Sequence, residues 1–268
     1  MPLLHSGNFD IHYQWHPSSN EGVPTLVLLH GFLEEMSMWE PFLDSWNAHA
    51  NLLRIDLPGH GKSKGNAGVH TMDLMAECIH DLLDHLGLQR VLLLGHSMGG
   101  YVGLSFVEHY PEYVQSLCLL CSSTSEDSAP RKVMRDKAAA LVQRSKKAFV
   151  RSAIPQLFTP ELRDAHRSAI EYTTARAMEM EEEGIVGAIL GMKARHDFSR
   201  ILYTGSGQSD FSVGLIFGTT DELVPVEKPL EWKNAPLVRF AYQSPGGHMA
   251  HITDQKGVLN AVVNWLGQ

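Results

Sequence analysis

The first 121 residues alternate between two hydrophobic periods. Short runs at Thr25–Leu29 (TLVLL), Leu52–Ile55 (LLRI), Val91–Leu94 (VLLL) and Val114–Cys121 (VQSLCLLC) are almost wholly apolar, the pattern of strands covered on both faces. Ahead of them, Ile11–Trp15 (IHYQW) mixes apolar and polar positions, which predicts an edge strand closed by the polar turn at 18–22. Residues 71–86 carry Met72, Met75, Ile79, Leu82, Leu83 and Leu86 on one stripe, with Thr71 placed as an N-cap and Gly87 as a stop. That spacing predicts an amphipathic helix. The run VLLL passes directly into a glycine-rich turn and a helical segment reaching Tyr110-Pro111.

The alternation then stops. From about Ser125 to Ile201 the pattern is helical, with no convincing strand, before apolar runs resume at Val213–Phe217 (VGLIF) and Leu237–Tyr242 (LVRFAY) and a closing helix follows at Val258–Leu266. Repeated strand–helix units predict an α/β fold, a parallel sheet with helices on both faces. A helical stretch between two strands of such a sheet, without a sheet of its own, predicts a lid. The expected organisation is a core of residues 1–124 and 205–268 with a helical lid, 125–204, inserted in it.

Composition narrows the function classes. The chain has 268 residues, 44% hydrophobic and 19% charged, enough to bury a large core and unlike a disordered chain. A formal net charge of −8 argues against nucleic acid as a partner. The charge is uneven: residues 124–204 hold 14 basic and 11 acidic residues, a net of +3. We read these as solvated faces of short helices, an arrangement also compatible with an anionic substrate. No stretch has the roughly 20 apolar residues of a membrane helix. The opening MPLLHSGNFD lacks a basic then apolar leader pattern, so a cytoplasmic protein without a membrane partner is expected. Cys118 and Cys121 form a C-x-x-C, but within an apolar strand pattern, where they are expected to act as small hydrophobes. The 15 histidines are scattered, and His80 and His85 stand five apart on one helix; neither gives metal-ligand spacing, so no metal is expected.

The candidate chemistry begins at Gly95-His96-Ser97-Met98-Gly99. A G-x-S-x-G between an apolar run and a helix is the setting of a nucleophile elbow, and the tight turn requires the small neighbours that Gly95, Gly99 and Gly100 supply. A serine hydroxyl needs a base to take its proton. His248, just past LVRFAY in SPGGHMAH, suits that role because imidazole exchanges its proton near neutrality. His251, three residues on, is the rival base; Pro245, Gly246 and Gly247 favour His248 by permitting a sharp reversal. The base needs an anion to fix its tautomer, and Asp221 follows VGLIF in FGTTD. A tetrahedral oxyanion needs two donors; the candidates are the backbone N–H groups of Met98, after the nucleophile, and Phe32, in the loop after TLVLL. His30 is expected to orient that loop, and Asp56 and His60 to fix a turn near the site. His96 lines the site without an assigned role. The methionines Met134, Met178, Met180 and Met192 are expected to pack lid helices, with a plastic acyl pocket as the alternative.

The segments HGF (30–32), DLPGHGKS (56–63), GHSMGG (95–100), GTTD (218–221) and GGHMAH (246–251) resemble the α/β-hydrolase superfamily in order and spacing, including the chain order Ser, Asp, His. The resemblance implies the α/β-hydrolase fold, an eight-stranded, mostly parallel sheet with the active site under a helical lid, and no need for a cofactor. Ser97 sets the chain apart from haloalkane dehalogenases and epoxide hydrolases, which place aspartate there. It looks most like small lid-bearing bacterial enzymes: carboxylesterases of the pimeloyl-ester type, carbon–carbon bond hydrolases and the menaquinone-pathway lyase. The lyases carry arginine where this chain has Tyr101, and the carbon–carbon hydrolases usually carry tryptophan where it has Met249. The expectation is therefore a serine hydrolase acting on a small-molecule carboxylic ester or thioester through an acyl-enzyme. A carbon–carbon hydrolase or lyase on the same triad is the alternative, and a non-catalytic ligand receptor on the same fold the second.

Overall fold

The computed structural model describes residues 2–65, 68–205 and 211–268. Eight strands form one sheet: β1 (Leu3–Ser6), β2 (Phe9–His16), β3 (Thr25–Leu29), β4 (Asn51–Ile55), β5 (Val91–His96), β6 (Val114–Leu120), β7 (Ser212–Gly218) and β8 (Val238–Ser244). Their order across the sheet is β1-β2-β4-β3-β5-β6-β7-β8. β1 and β2 pair antiparallel, as do β2 and β4, and every later pairing is parallel.

The apolar runs split between the two faces because successive side chains point to opposite sides of a strand. Val27, Leu29, Val91 and Leu93 join a core with helices α2 (Met72–Leu86) and α3 (Met98–His109). Leu26, Leu28, Leu92 and Leu94 join a second core with α1 (Leu43–Asn47) and α10 (Gln255–Leu266). In α2 the Thr71 hydroxyl accepts the Leu74 N–H at 3.1 Å, and Gly87 ends the helix in the left-handed conformation at φ 65°.

Among the described residues between β6 and β7 lie four α-helices: α4 (Ala129–Gln156), interrupted by an extended backbone at Ser145, α5 (Arg167–Glu179), α6 (Glu182–Ala194) and α7 (Arg200–Thr204). Val142, Phe149, Ile154, Ala177 and Ile185 give this segment a core of its own, joined to the body through Leu33. The short helices α8 (Glu227–Trp232) and α9 (Ala250–Thr253) flank β8. No described helix is long and apolar enough to cross a membrane.

One expectation is corrected. Ile11–Trp15 is not an edge: β2 lies between β1 and β4. Its polar positions face protein. His12 is buried, its Nδ1 2.8 Å from Asp56 and its N–H on the Ser63 hydroxyl at 2.8 Å. The alternation records a buried polar network rather than a solvated face. Cys118, in β6, and Cys121, just after it, are free and buried, and burial pushes both thiols above their ordinary range.

Candidate active site

Ser97 sits in the turn between β5 and α3 with φ 48° and ψ −111°, a conformation that strains any residue bearing a Cβ. The turn closes because its neighbours carry no side chain. A Cβ on Gly95 would run into the backbone of Gly99 and Gly100, and one on Gly99 into the carbonyl oxygens of Leu29 and His30. The Ser97 N–H donates to Leu120 at 3.0 Å, and the Ser122 hydroxyl donates to the Ser97 carbonyl at 2.7 Å. The serine is thus pinned from the neighbouring strand.

His248 Nε2 lies 2.9 Å from Ser97 Oγ, and His248 Nδ1 lies 2.9 Å from Asp221 Oδ2. A carboxylate only accepts, so Nδ1 carries the proton and the Nε2 lone pair faces the serine hydroxyl. Asp221 Oδ1 accepts the N–H groups of Leu223 at 2.8 Å and Val224 at 2.9 Å. Burial alone would raise the Asp221 carboxyl, but the His248 ring and those two N–H groups outweigh it and hold it below the usual carboxylate range. The loops carrying acid and base are laced together: Thr219 N–H donates to Ser244 at 2.9 Å and Thr220 N–H to Gly246 at 3.3 Å. The three side chains singled out in sequence therefore meet, and His251 does not touch Ser97. Its Nε2 lies 3.2 Å from Glu34.

The oxyanion candidates flank the serine. Met98 opens α3, where an N–H has no partner within the helix. Phe32 lies in a loop shaped by the left-handed backbone of Leu33, φ 62°, and among the described residues its N–H donates to no backbone carbonyl. His30 holds that loop: its Nδ1 donates to the Gly31 carbonyl at 2.8 Å and its Nε2 accepts the Leu57 N–H at 2.9 Å, a pattern only a neutral ring satisfies. Asp56 fixes the following turn through the N–H groups of Met36 at 2.8 Å and Lys62 at 2.9 Å. His60 is fully buried, and burial above all lowers it to about 3.

A cavity of about 470 Å³ opens onto Ser97 and His248. Its walls come from both parts of the chain: Phe32 and Tyr101 from the body, Arg131, Met134, Arg135 and Met192 from the helical segment. Of the four methionines, Met134 and Met192 face it, whereas Met180 and Met178 belong to the helical segment's own core. Sequence reasoning missed three features here. Arg131, Arg135 and Arg195 gather around the buried Asp127, at 3.5, 2.9 and 2.9 Å. The Arg195 guanidinium also stacks 4.0 Å over the Tyr101 ring. Behind Ser97, Glu34, His96 and His251 meet although separated in sequence; the one hint in the sequence is the acidic pair directly after HGFL.

A model of the alpha/beta hydrolase fold matches residues 24–255. Over 257 residues the chain is 26% identical to the dihydrolipoyllysine-residue acetyltransferase component of the acetoin cleaving system of Pseudomonas putida, covering 94% of this chain and 66% of that protein. It is 28% identical over 257 residues to a putative 2-succinyl-6-hydroxy-2,4-cyclohexadiene-1-carboxylate synthase of Bacillus subtilis, covering 92% of this chain and 90% of that one. Among solved structures, a malate-bound thermophilic esterase from Thermogutta terrifontis superposes with a TM-score of 0.86 at 27% identity, covering 96% of this chain and 93% of the esterase.

Proposed function

The chain belongs to the alpha/beta hydrolase family, and on that premise we propose that it is a serine hydrolase cleaving a small-molecule carboxylic ester or thioester through an acyl-enzyme. The observation that carries this reading is the unbroken hydrogen-bond chain from Ser97 Oγ through His248 to Asp221. In the proposed cycle the Ser97 proton passes to His248 Nε2 while Oγ attacks the carbonyl carbon. The carbonyl oxygen becomes an oxyanion that accepts the N–H groups of Phe32 and Met98. Collapse breaks the bond to the alcohol or thiol, which leaves with the proton from His248. Water then repeats the sequence on the acyl-enzyme, giving its proton to His248 and releasing the acid. Asp221 stays ionised throughout and stabilises the imidazolium. No step calls for a cofactor. Residues 125–204 act as a lid on the core formed by 1–124 and 205–268, since that segment supplies much of the cavity wall.

Fluorophosphonate labelling tests the nucleophile directly. Wild-type protein is expected to be labelled on Ser97 and Ser97→Ala not at all. Ser97→Ala should lose about 10⁶ in rate on an activated short-chain ester, and Asp221→Asn about 10⁴ with the fold intact. An unlabelled wild-type protein would leave the receptor reading standing. A panel of esters, thioesters and diketone acids separates ester cleavage from carbon–carbon bond cleavage on the same residues.

A further inference from the structure

Glu34 lies behind the nucleophile, outside the Ser97–His248–Asp221 chain, and is only 4% exposed. Its Oε2 accepts the Gly31 N–H at 2.9 Å and stands 2.6 Å from His96 Nδ1. Its Oε1 lies 3.2 Å from His251 Nε2. The other nitrogen of His96, Nε2, lies 3.0 Å from the backbone carbonyl oxygen of His248. His96 is itself 1% exposed, so water does not complete its hydrogen bonding.

The proton count follows from these partners. A neutral imidazole has one donor and one acceptor nitrogen. Both partners of His96 are acceptors, a carboxylate and a carbonyl, so both ring nitrogens must donate. Placing the proton on Glu34 instead is disfavoured, because the backbone N–H of Gly31 and the rings of His96 and His251 all converge on that carboxylate. His30, with one acceptor and one donor as partners, shows the neutral alternative in the same site.

We propose that His96 is held as an imidazolium by Glu34, and that this buried ion pair is a positioning device tying the oxyanion loop, the nucleophile turn and the base into one unit. The tie to the oxyanion loop runs through Gly31, next to Phe32. The tie to the nucleophile is the peptide bond between His96 and Ser97. The tie to the base is the His248 carbonyl. Removing the ring proton leaves a lone pair facing either Glu34 or the His248 carbonyl, and the second case pushes the base away from Ser97. The groups facing His96 are the carboxylates of Glu34 and Asp221 and the rings of His248 and His251, with centroids 5.2 and 4.7 Å away. Burial disfavours the charged ring, but Glu34 above all overcomes it and raises His96 above the ordinary imidazole range; Glu34 is in turn held well below the carboxylate range. Glu34, His96 and His251 also offer ligand atoms within 4.8 Å of one another, so a metal on His96 Nδ1 would have to displace the proton assigned to it.

The catalytic consequence rests on the serine-hydrolase reading, but the protonation state does not. The first measurement is therefore nitrogen-15 NMR of the histidine rings in the resting wild-type protein. Both His96 nitrogens are expected to appear protonated at pH 7, where an ordinary imidazole is mostly neutral. A His96 ring with one protonated nitrogen at pH 7 overturns the proposal, as does a zinc-induced shift of Nδ1, since a ligand nitrogen carries no proton. The second measurement is Glu34→Gln, checked for folding by thermal melting. Its kcat should fall about 100-fold, the scale of a misplaced reacting group, with KM little changed. The alkaline fall of the wild-type rate should move to lower pH in the variant. A Glu34→Gln enzyme with the wild-type pH profile and kcat sinks the positioning role. Activity in Ser97→Ala would instead sink the hydrolase mechanism and leave the NMR result untouched.

Discussion

At the scale of single residues, the strain at Ser97 sets what its surroundings tolerate. A φ of 48° on a residue with a side chain persists only where the surroundings over-determine it, and here that is the work of Gly95 and Gly99. The obstruction facing Gly99 is backbone, the carbonyl oxygens of Leu29 and His30, which cannot rotate away as a side-chain tip can. Gly99→Ala should therefore displace the turn relative to β3, lowering the fluorophosphonate labelling rate by about 100-fold or more and stability by about 1–3 kcal/mol. Labelling at the wild-type rate with an unchanged melting temperature would show that the turn has slack that the contacts deny. Ser97, Asp221 and His248 were legible in the sequence because each follows an apolar run, and the ends of parallel strands converge on one edge of a sheet. Glu34 was not legible. Its hydrogen-bond partner His96 is 62 residues away, and an acid after a loop glycine looks like any solvated polar residue until folding buries it.

At the scale of elements, the helical segment is attached to the body through charge as well as apolar contact. Asp127, ahead of α4, has a fully buried side chain and faces Arg131, Arg135 and Arg195. Arg195, just past α6, is 3% exposed and lies on Tyr101 of α3. In sequence, the net positive charge of residues 124–204 points to solvated helix faces. That holds for Lys137, Arg144 and Lys147, which are exposed, and fails for these three arginines, which turn inward around one acid. Composition cannot separate the two cases, since Arg131 and Arg135 stand on α4 together with Lys137, Arg144 and Lys147. Removing one partner of a buried pair leaves the other charged and uncompensated, at about 3–5 kcal/mol. Asp127→Ala is thus expected to lower the melting temperature and to open the N-terminal turns of α4 to hydrogen exchange. KM should rise more than kcat falls, because Arg131 and Arg135 line the cavity while Ser97 and His248 are held by other elements. Loss of kcat alone would place Asp127 in the chemistry and not in the attachment of the segment. The same limit explains the misjudged β2. Ile11 and Tyr13 gave the period, but whether His12 met water or Asp56 was decided by the neighbouring strand. β1 escaped notice because four residues with one buried side chain, Ser6, carry no period at all.

At the scale of the whole molecule, the buried titrating groups give the stability curve a shape fixed by their signs. His60 is lowered to about 3, by burial above all, and His251 is also lowered, by burial first, against the pull of Glu34. The unfolded chain protonates both near 6.5 while the folded one resists, so the unfolded state binds more protons as pH falls below that value. Each such ring removes up to about 1.4 kcal/mol per pH unit there. For His60 the loss continues to about 3. The acids Glu34, Asp56, Asp127 and Asp221 are held below their ordinary values; their contribution is present above about 4 and is lost as pH drops through the lowered values. His96 works in the opposite direction. Raised in the folded state, it contributes fully below about 6.5, and that contribution is lost as pH rises through its raised value. Two rings therefore weaken the fold on the acid side of 6.5 and one on the alkaline side, so the melting temperature should peak near neutrality and fall more steeply toward acid. Scanning calorimetry between pH 4.5 and 9 measures both flanks. His60→Gln should flatten the acid flank between pH 6.5 and 4.5 and leave the alkaline flank alone, whereas Glu34→Gln should flatten the alkaline flank, because a neutral amide no longer holds the His96 proton. A wild-type melting temperature constant from pH 5 to 6.5 would mean that His60 gains a proton without cost, and that its burial does not oppose the charge.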